Sequence, residues 1–448
     1  MNTTLILTIR YSKKKIMKIS FQTLGCRLNQ SETASIQNSF EANGYTVVDF
    51  GQPSEIVVIN TCTVTAGGDA DTRRLVNKVN RLNPDARIAL IGCQAQVQKE
   101  QLASLPNVRW IVGNGRKMDL VAVFNEYPNP LTAQVVAPTI QRDAFTLPVA
   151  AIDRQPRLGR GQHTRANMKI QDGCDFFCSF CEIPYARGRA RSRVFEDIVL
   201  EARALVAAGH KEIVLTGINI GTFSQGQKGL LDVIAALEQV QGLKRIRISS
   251  IEPTTIPPQF FDFMHHSHKL CRYLHIPLQS GSDEILTGMK RKYTSGEFSR
   301  FIRNAYQKVP QICIGTDVIV GFPGETDEHF DQTVDLIRQE PIHYVHVFSY
   351  SPRQMAQSRL RQDSIAAPII TRRSQVLREL SARKRRLFYE SLLGTTQTVL
   401  LEEAKGNFWV GLTDNYVKIK IEAQGDWHNQ IIPVKLQRME GQYLIGEV

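Results

Sequence analysis

The chain has 448 residues, 42% of them hydrophobic, and a formal net charge of +12 at pH 7. This length allows roughly three domains, and the composition is that of a folded rather than a disordered protein. The charge favours an anionic partner such as nucleic acid, and with no run of about 18 apolar residues we predict no membrane span.

The eight cysteines are too sparse for a disulfide framework and predict a reducing, cytoplasmic environment. Residues 1–17 are interpreted as a tail. Their lysines, at positions 13 to 15, follow the apolar residues, which is the reverse of the order in a secretory signal. Met17 stands just before the first predicted strand, so residues 1–16 are taken as a disordered tail or a start-site artefact.

Residues 18–125 are predicted to form a doubly wound α/β domain, because strands and helices alternate along them. The strands are expected at 18–23, 56–59, 88–91 and 110–112, and the helices at 29–43 and 69–83. Cys26, Cys62 and Cys93 each follow one of these strands. Ligands bind outside the carboxyl ends of parallel strands, so we expect the three cysteines to form one site. The alternative is that cysteine is simply common near buried strands.

Residues 126–160 contain prolines followed by Arg154, Arg157 and Arg160, and are predicted to be a linker. Alternation resumes over residues 161–388 and continues for about six βα units, which predicts a full or partial (β/α) barrel. Its strands are expected at 168–171, 212–215, 245–249, 274–277, 313–320 and 343–350.

Three cysteines, Cys174, Cys178 and Cys181, fall within eight residues at CxxxCxxC spacing. Three thiolates on one loop can bind three irons of a 4Fe-4S cluster and leave the fourth iron open for chemistry. A purely structural site would normally use four ligands. The alternative, three unrelated core cysteines, is disfavoured by this clustering. Cys271 and Cys313 match no ligand spacing and are predicted to be core residues.

Four arginines, Arg187, Arg189, Arg191 and Arg193, follow the cysteine loop. A solvated helix face is the simpler interpretation of such a run. Basic residues on both sides of the loop make an anionic substrate the better hypothesis.

Residues 389–448 follow a basic helix predicted at 380–393 and are expected to form a small five-stranded β-barrel. Its strands are predicted at 398–402, 408–412, 416–421, 431–436 and 443–448. Small barrels often bind oligonucleotides, but the fold alone does not establish this function.

The CxxxCxxC loop followed by βα units resembles the radical S-adenosylmethionine enzymes. Five segments narrow the resemblance to the methylthiotransferases: residues 23–30 (TLGCRLNQ), 59–65 (INTCTVT), 92–96 (GCQAQ), 170–174 (IQDGC) and 321–326 (GFPGET). That family has an N-terminal methylthiotransferase domain, a radical-SAM barrel and a C-terminal TRAM β-barrel. The likeness covers residues 18–448 and is nearest to the MtaB type.

The resemblance implies two 4Fe-4S clusters. Cys174, Cys178 and Cys181 would hold the cluster that binds S-adenosylmethionine, and Cys26, Cys62 and Cys93 would hold an auxiliary cluster that carries sulfur. It also implies a tRNA substrate, whose N(6)-threonylcarbamoyladenosine next to the anticodon is methylthiolated at carbon 2, and an external one-electron reductant. Alternative substrates are isopentenyladenosine in tRNA and a ribosomal-protein aspartate. A tRNA-binding protein with purely structural clusters is the non-enzymatic alternative.

Candidate contacts to S-adenosylmethionine are chosen by their position at or near strand ends of the predicted barrel: Gly217, Asn219, Ser249, Glu252, Gln279 and Asp317. The basic flanks, with Arg187 to Arg193, and the TRAM-like barrel would hold tRNA phosphates. One segment departs from the family pattern. Residues 354–358 read QMAQS where a glycine–threonine segment is usual, so the resemblance does not define substrate fit at this loop.

Overall fold

A six-stranded parallel sheet forms the first part of the computed structural model, which describes residues 17–147 and 164–448. In spatial order its strands are Thr46–Val48, Lys18–Thr23, Ile56–Thr61, Arg87–Gly92, Val108–Val112 and Gln134–Val136. The helices are Arg27–Ala42, Ala66–Leu82, Cys93–Val97, Lys99–Ala103 and Leu120–Glu126. Residues 1–16 of the predicted tail, and Arg154, Arg157 and Arg160 of the predicted linker, lie outside the described residues.

Helices cover both faces of this sheet, which confirms the doubly wound prediction. The central strand is buried at every position, so its alternating side chains supply both cores. Val58 packs with Phe40 of the helix on one face, while Ile59 packs with Val76 of the helix on the other. The predicted linker begins too early, since Gln134–Val136 pairs in parallel with Val108–Val112 as the edge strand of the sheet.

Six parallel strands form the second part, a partial barrel rather than a closed one. They are Arg165–Lys169, Glu212–Thr216, Arg245–Ile248, Tyr273–His275, Cys313–Val320 and Tyr344–Ser349. The first three strands form one sheet and the last three form another. A single β-bridge between Ile246 and Leu270 connects the two sheets. The surrounding helices are Ile183–Arg187, Phe195–Ala207, Leu230–Glu238, Phe260–His266, Asp283–Gly288, Ser295–Lys308, Asp327–Gln339 and Ala367–Glu390.

A closed five-stranded barrel ends the chain, as predicted. Its strands are, in spatial order, Thr396–Lys405, Phe408–Thr413, Lys418–Glu422, Tyr443–Glu447 and Ile431–Glu440. The helix before it begins at Ala367 rather than near residue 380, with a proline in its first turn. Buried Arg245 and Arg247 donate to the carbonyls of Leu412 and Thr413, which attaches this barrel to the central one.

The N-terminal domain packs against the first strand of the central barrel through its helix Arg27–Ala42. Lys169 in that strand donates to Glu32 of the helix over 2.7 Å. Asn167 donates to Gln30 over 3.2 Å. The domain that carries the first cysteine set therefore lies beside the barrel that carries the second. Within the described ranges, no helix is long and apolar enough to cross a membrane.

Candidate functional site

Cys26, Cys62 and Cys93 converge at one edge of the N-terminal sheet because their strands are neighbours. Thr61 pairs with Gly92, so Cys62 and Cys93 leave adjacent strands side by side. Cys26 lies just beyond the strand on the other side, close enough for the three thiols to influence one another electrostatically. Strand order thus brings together residues separated by more than thirty positions in the chain.

Two glycines make this convergence possible. Gly25 has a φ of +87°, and a Cβ there would lie 2.8 Å from the Cys62 sulfur. Gly92 has a φ of +97°, and its Cβ would lie 2.4 Å from Asn60 Oδ1 and 2.9 Å from the Thr61 carbonyl oxygen. A side chain at either position would push the cysteine loops apart, and L residues rarely adopt such φ values.

The chemistry of this set suits a metal cluster rather than a single ion. Burial, with repulsion from Cys93, raises the pKa of the Cys62 thiol to about 12, so it ionises at neutral pH only when a metal replaces its proton. In residues 17–147 and 164–448, no three cysteine sulfurs lie within 4.8 Å of one another. One ion bound by three thiolates would need closer spacing, whereas a cluster gives each thiolate its own iron.

A buried ionic network lies directly behind Cys93. Arg187 Nε donates to the Cys93 sulfur over 3.2 Å, and the guanidinium also pairs with Glu32 and Asp172. Glu32 is paired in turn with Lys117 and Lys169. Although burial opposes ionisation, these cations hold the pKa of Glu32 well below its usual value.

The network corrects the predicted tRNA-binding arginines. Arg187 and Arg193 are fully buried, and Arg193 pairs with Asp197 and Glu201, so neither can reach a phosphate. The Arg191 side chain is 9% exposed and pairs with Asp172. Of the four, Arg189 is the one with a substantially exposed side chain, at 43%. Charge in the sequence indicated a surface, but these arginines neutralise buried carboxylates.

Cys174, Cys178 and Cys181 lie on a loop after the first barrel strand. Burial, with repulsion from Cys178, raises the pKa of the Cys174 thiol to about 11. Arg291 Nη1 donates to the Cys178 sulfur over 3.2 Å. The Ser179 amide donates to the Met289 carbonyl over 3.0 Å, which fixes the loop against the segment that carries Arg291. Sequence reasoning missed Arg291, which sits in a basic run typical of a surface.

The six candidate cofactor contacts lie near the carboxyl ends of four barrel strands. Gly217 and Asn219 follow one strand, Ser249 and Glu252 the next, and Gln279 the one after, while Asp317 lies within its strand. Asn219 Nδ2 and Gln279 Oε1 are buried without a hydrogen-bond partner among the described residues. A buried polar atom without a partner is costly, so both atoms fit an additional polar ligand. Glu252 instead pairs with Arg291.

Asp317 belongs to a hydrogen-bonded chain inside the barrel. Its carboxylate accepts from His275 Nε2 over 2.8 Å and lies 3.4 Å from His346 Nδ1. His275 Nδ1 lies 3.1 Å from the Tyr344 hydroxyl. Burial opposes ionisation, yet the two histidines hold the pKa of Asp317 well below its usual value. His275 is thus an interior residue that orients Asp317, and Cys271 and Cys313 are buried core residues, as predicted.

A cavity of about 160 Å³ is lined by residues that neighbour a cysteine of each set in the chain. Val64 and Thr65, just after Cys62, line one side, and Phe180, just before Cys181, lines another. Gln279 and Asp317 are also lining residues. Two domains and both cysteine loops therefore border one space. Val64, Thr65 and Phe180 are candidate site residues that carry no recognisable chemical signal in the sequence.

The atypical segment 354–358 begins three residues after Ser351, which lines this cavity. The Met355 amide donates to Glu182 over 2.7 Å, and the Ser358 amide donates to the Ser179 carbonyl over 2.8 Å. Just before it, Arg353 donates to Thr63 and Asp69 of the N-terminal domain. The segment therefore contacts the loop of the second cysteine set, and Arg353 directly before it contacts the N-terminal domain next to the first.

Comparisons agree with this geometry. Residues 168–337 match the Radical SAM superfamily and residues 18–113 match "Uncharacterized protein family UPF0004". A solved structure of the radical S-adenosylmethionine methyltransferase TsrM from Kitasatospora setae has a TM-score of 0.53 at 16% identity, covering 75% of this chain and 77% of that one. Fold and cysteine loop together define a radical S-adenosylmethionine protein.

Proteins with similar sequences show which family of radical S-adenosylmethionine proteins the chain resembles. The chain is 35% identical to threonylcarbamoyladenosine tRNA methylthiotransferase MtaB of Bacillus subtilis, over 96% of each chain. It is 37% identical to the protein of that name from Aquifex aeolicus, over 91% of this chain and 97% of the relative. The tRNA-2-methylthio-N(6)-dimethylallyladenosine synthase of Carboxydothermus hydrogenoformans is 32% identical, over 80% and 82%. The chain belongs to the radical S-adenosylmethionine methylthiotransferase family, and within it to the MtaB type.

Proposed function

We propose that the protein is an enzyme that adds a methylthio group to carbon 2 of N(6)-threonylcarbamoyladenosine next to the tRNA anticodon. The observation that carries the proposal is the single cavity bordered by Val64 and Thr65 after one cysteine set and by Phe180 within the other. A target atom placed there would lie beside the chain segments that follow Cys62 and precede Cys181. The names of the most similar relatives support this substrate.

Both cysteine sets act as ligands of 4Fe-4S clusters. Cys174, Cys178 and Cys181 hold one cluster, and Cys26, Cys62 and Cys93 hold the auxiliary one. When bound, the first supplies reductive cleavage of S-adenosylmethionine and the second carries sulfur. The chain's own residues position these groups and neutralise charge around the thiolates.

S-adenosylmethionine is bound by polar groups at the strand ends. Asn219 and Gln279 have the unpartnered atoms that such a ligand would satisfy. Gly217 lets its turn pass close to Ile220 and Gln171, which a Cβ would approach to 2.7 and 2.9 Å. Ser249 follows the strand Arg245–Ile248, and Asp317 lies within the strand Cys313–Val320. Glu252 acts through its ion pair with Arg291, which contacts Cys178.

The partner is tRNA, and exposed cations outside the buried network contact its backbone. Arg189 is one candidate, and the exposed arginines of the helix Ala367–Glu390 are others: Arg378, Arg383, Arg385 and Arg386. Each phosphate contact adds salt-dependent affinity. A one-electron reductant from outside the chain and a cytoplasmic location complete the proposal.

Mass spectrometry of tRNA nucleosides from a deletion strain tests the substrate. Loss of 2-methylthio-N(6)-threonylcarbamoyladenosine, restored by the intact gene but not by a Cys178→Ala copy, is the expected result. Persistence of that nucleoside with loss of the isopentenyladenosine analogue would show the alternative tRNA substrate. If both tRNA nucleosides persist and a ribosomal-protein aspartate loses its methylthio group, the protein substrate is correct.

A second assay separates the enzyme from a binding protein. Anaerobically reconstituted protein with reductant is expected to cleave S-adenosylmethionine to 5′-deoxyadenosine and methionine. Failure with both clusters intact would leave only a tRNA-binding protein with structural clusters.

A further inference from the structure

We propose that Arg187 raises the reduction potential of the auxiliary cluster by donating a hydrogen bond to Cys93. The inference rests on the proposed function, because it requires a cluster at Cys26, Cys62 and Cys93. It assigns to a residue of the central domain an effect on a cofactor of the N-terminal domain.

Every N–H group of the Arg187 guanidinium donates a hydrogen bond. Nε donates to Cys93 Sγ over 3.2 Å. Nη1 donates to Glu32 and Asp172 over 3.1 and 3.0 Å, and Nη2 donates to Asn29 and Glu32 over 2.6 and 3.0 Å. A guanidinium has five N–H groups, so each one has an acceptor and the side chain cannot turn away from the sulfur.

Charge in this network is unbalanced. Four cations, Lys117, Lys169, Arg187 and Arg191, share two carboxylates, those of Glu32 and Asp172. Buried cations normally have anionic partners, since an uncompensated buried charge is strongly unfavourable. The cysteine thiolates are the nearest further anions. Although burial lowers the pKa of Arg187, Cys93 is among the groups that hold it above its usual value. The positive excess therefore faces the proposed cluster.

This arrangement has a definite electrochemical consequence. A cluster gains negative charge on reduction, and a donor and a cation at its sulfur ligand stabilise the reduced form more than the oxidised form. The effect is strong because Arg187 is fully buried, where charges are weakly screened. Arg187 also belongs to the helix Ile183–Arg187, which begins two residues after Cys181. The loop of the radical site thus supplies the group that tunes the other cluster.

Full-length protein carrying Cys174→Ala, Cys178→Ala and Cys181→Ala isolates the auxiliary cluster for measurement. Its iron content is determined first, and its reduction potential is then measured by redox titration followed by electron paramagnetic resonance. Arg187→Lys keeps the charge but loses the Nε–H donor, so the potential should become more negative. Arg187→Met removes charge and donor and should shift it further in that direction.

Two further variants control the sign and the site. Glu32→Gln removes a negative charge of the network and should make the potential more positive. Arg291→Lys alters the buried arginine that pairs with Glu252, outside this network, and should leave the auxiliary potential unchanged. A role of Arg187 in packing alone would lower stability or iron content without moving the potential of the remaining cluster.

The outcomes distinguish the proposed auxiliary cluster from the proposed effect of Arg187 on its potential. If the parent protein with three alanines binds no iron, the proposed auxiliary cluster is wrong. If it binds a cluster whose potential is the same in Arg187→Lys, Arg187→Met and Glu32→Gln, the inference is overturned while the proposed function stands. If the Arg187 variants lose their cluster, Glu32→Gln decides alone: a positive shift supports the inference, and no shift overturns it.

Discussion

Arg291 Nη1 donates a hydrogen bond to Cys178 Sγ over 3.2 Å, and Nη2 of the same guanidinium pairs with Glu252. Arg187 makes the corresponding contact with Cys93 over 3.2 Å. Each proposed cluster site therefore has one arginine that joins a cysteine sulfur to a carboxylate. Both arginines come from the central domain, so the two sites depend on the same framework.

Removing Arg291 should be costly because its partner stays behind. The Glu252 side chain is 15% exposed, and burial already raises its pKa. Arg291→Met leaves this carboxylate unpaired, and we expect a loss of about 3 kcal/mol in the free energy of unfolding. Denaturant unfolding under anaerobic conditions measures it. The matched control is Arg338→Met, whose pair with Asp335 is exposed and should contribute about 0.5 kcal/mol or less. Equal losses in the two variants would contradict the prediction.

Cys62→Ala should separate the two proposed reactions. Iron is expected to fall from about eight to about four atoms per chain, with S-adenosylmethionine cleavage still measurable and methylthio product absent. Cys313→Ala removes an equally buried cysteine of the core and should retain all the iron. Equal loss of cleavage and of product in Cys62→Ala would show that the auxiliary site has been misinterpreted.

Gly92→Ala tests the close approach at the sheet edge. Its Cβ would lie 2.4 Å from Asn60 Oδ1 at a φ of +97°, so the loop of Cys93 must shift. We expect about 2 kcal/mol of destabilisation and loss of iron from the auxiliary site. Gly44→Ala carries similar φ strain, at +83°, with no atom within 4 Å. It should cost about 1 kcal/mol and keep its iron. Iron retained in Gly92→Ala would refute the steric argument.

Arg353 should fix the position of the N-terminal domain relative to the central barrel during the reaction. It donates to Thr63 over 3.0 Å and to Asp69 over 2.6 Å, across the cavity edge. In Arg353→Met we expect several molecules of S-adenosylmethionine to be cleaved for each one used productively, because the target is less well placed. The ratio of 5′-deoxyadenosine to methylthiolated nucleoside measures this uncoupling. Arg359→Met, an exposed neighbour, should leave the ratio unchanged; an unchanged ratio in Arg353→Met would argue against the role.

His343 predicts how stability responds to acid. Burial, with the nearby Lys384 charge, lowers its pKa to about 4, so the folded state keeps it neutral while the unfolded state binds a proton below about pH 6.5. Stability should therefore fall by about 1 kcal/mol between about pH 7 and about pH 5.5 through this residue alone. His343→Asn keeps an acceptor for the Ile314 amide and should lose that dependence. Identical pH profiles for the parent and the variant would exclude this origin.

The pattern of strands and helices was predictable wherever hydrophobic periodicity was strong. The buried run at 56–59 and the closed C-terminal barrel are examples. The predicted secondary structure was wrong at an edge strand of the N-terminal sheet and at the start of a long helix. Gln134–Val136 is short and half-exposed, so nothing marked it as a strand, and the helix from Ala367 begins thirteen residues before its predicted start, with a proline in its first turn.

The sequence by itself predicted which cysteines are the proposed cluster ligands. Cys174, Cys178 and Cys181 lie within eight residues, and three strand-end cysteines follow from alternation and the parallel-sheet rule. Only the tertiary structure decided what the charges do. Arg187 and Arg189 are two residues apart, yet one is buried against Cys93 and the other is exposed. An arginine pairs with whichever carboxylate the packing of the chain brings near it. The partner of Arg187 is Glu32, which is 155 residues away in the sequence and cannot be identified from a local pattern.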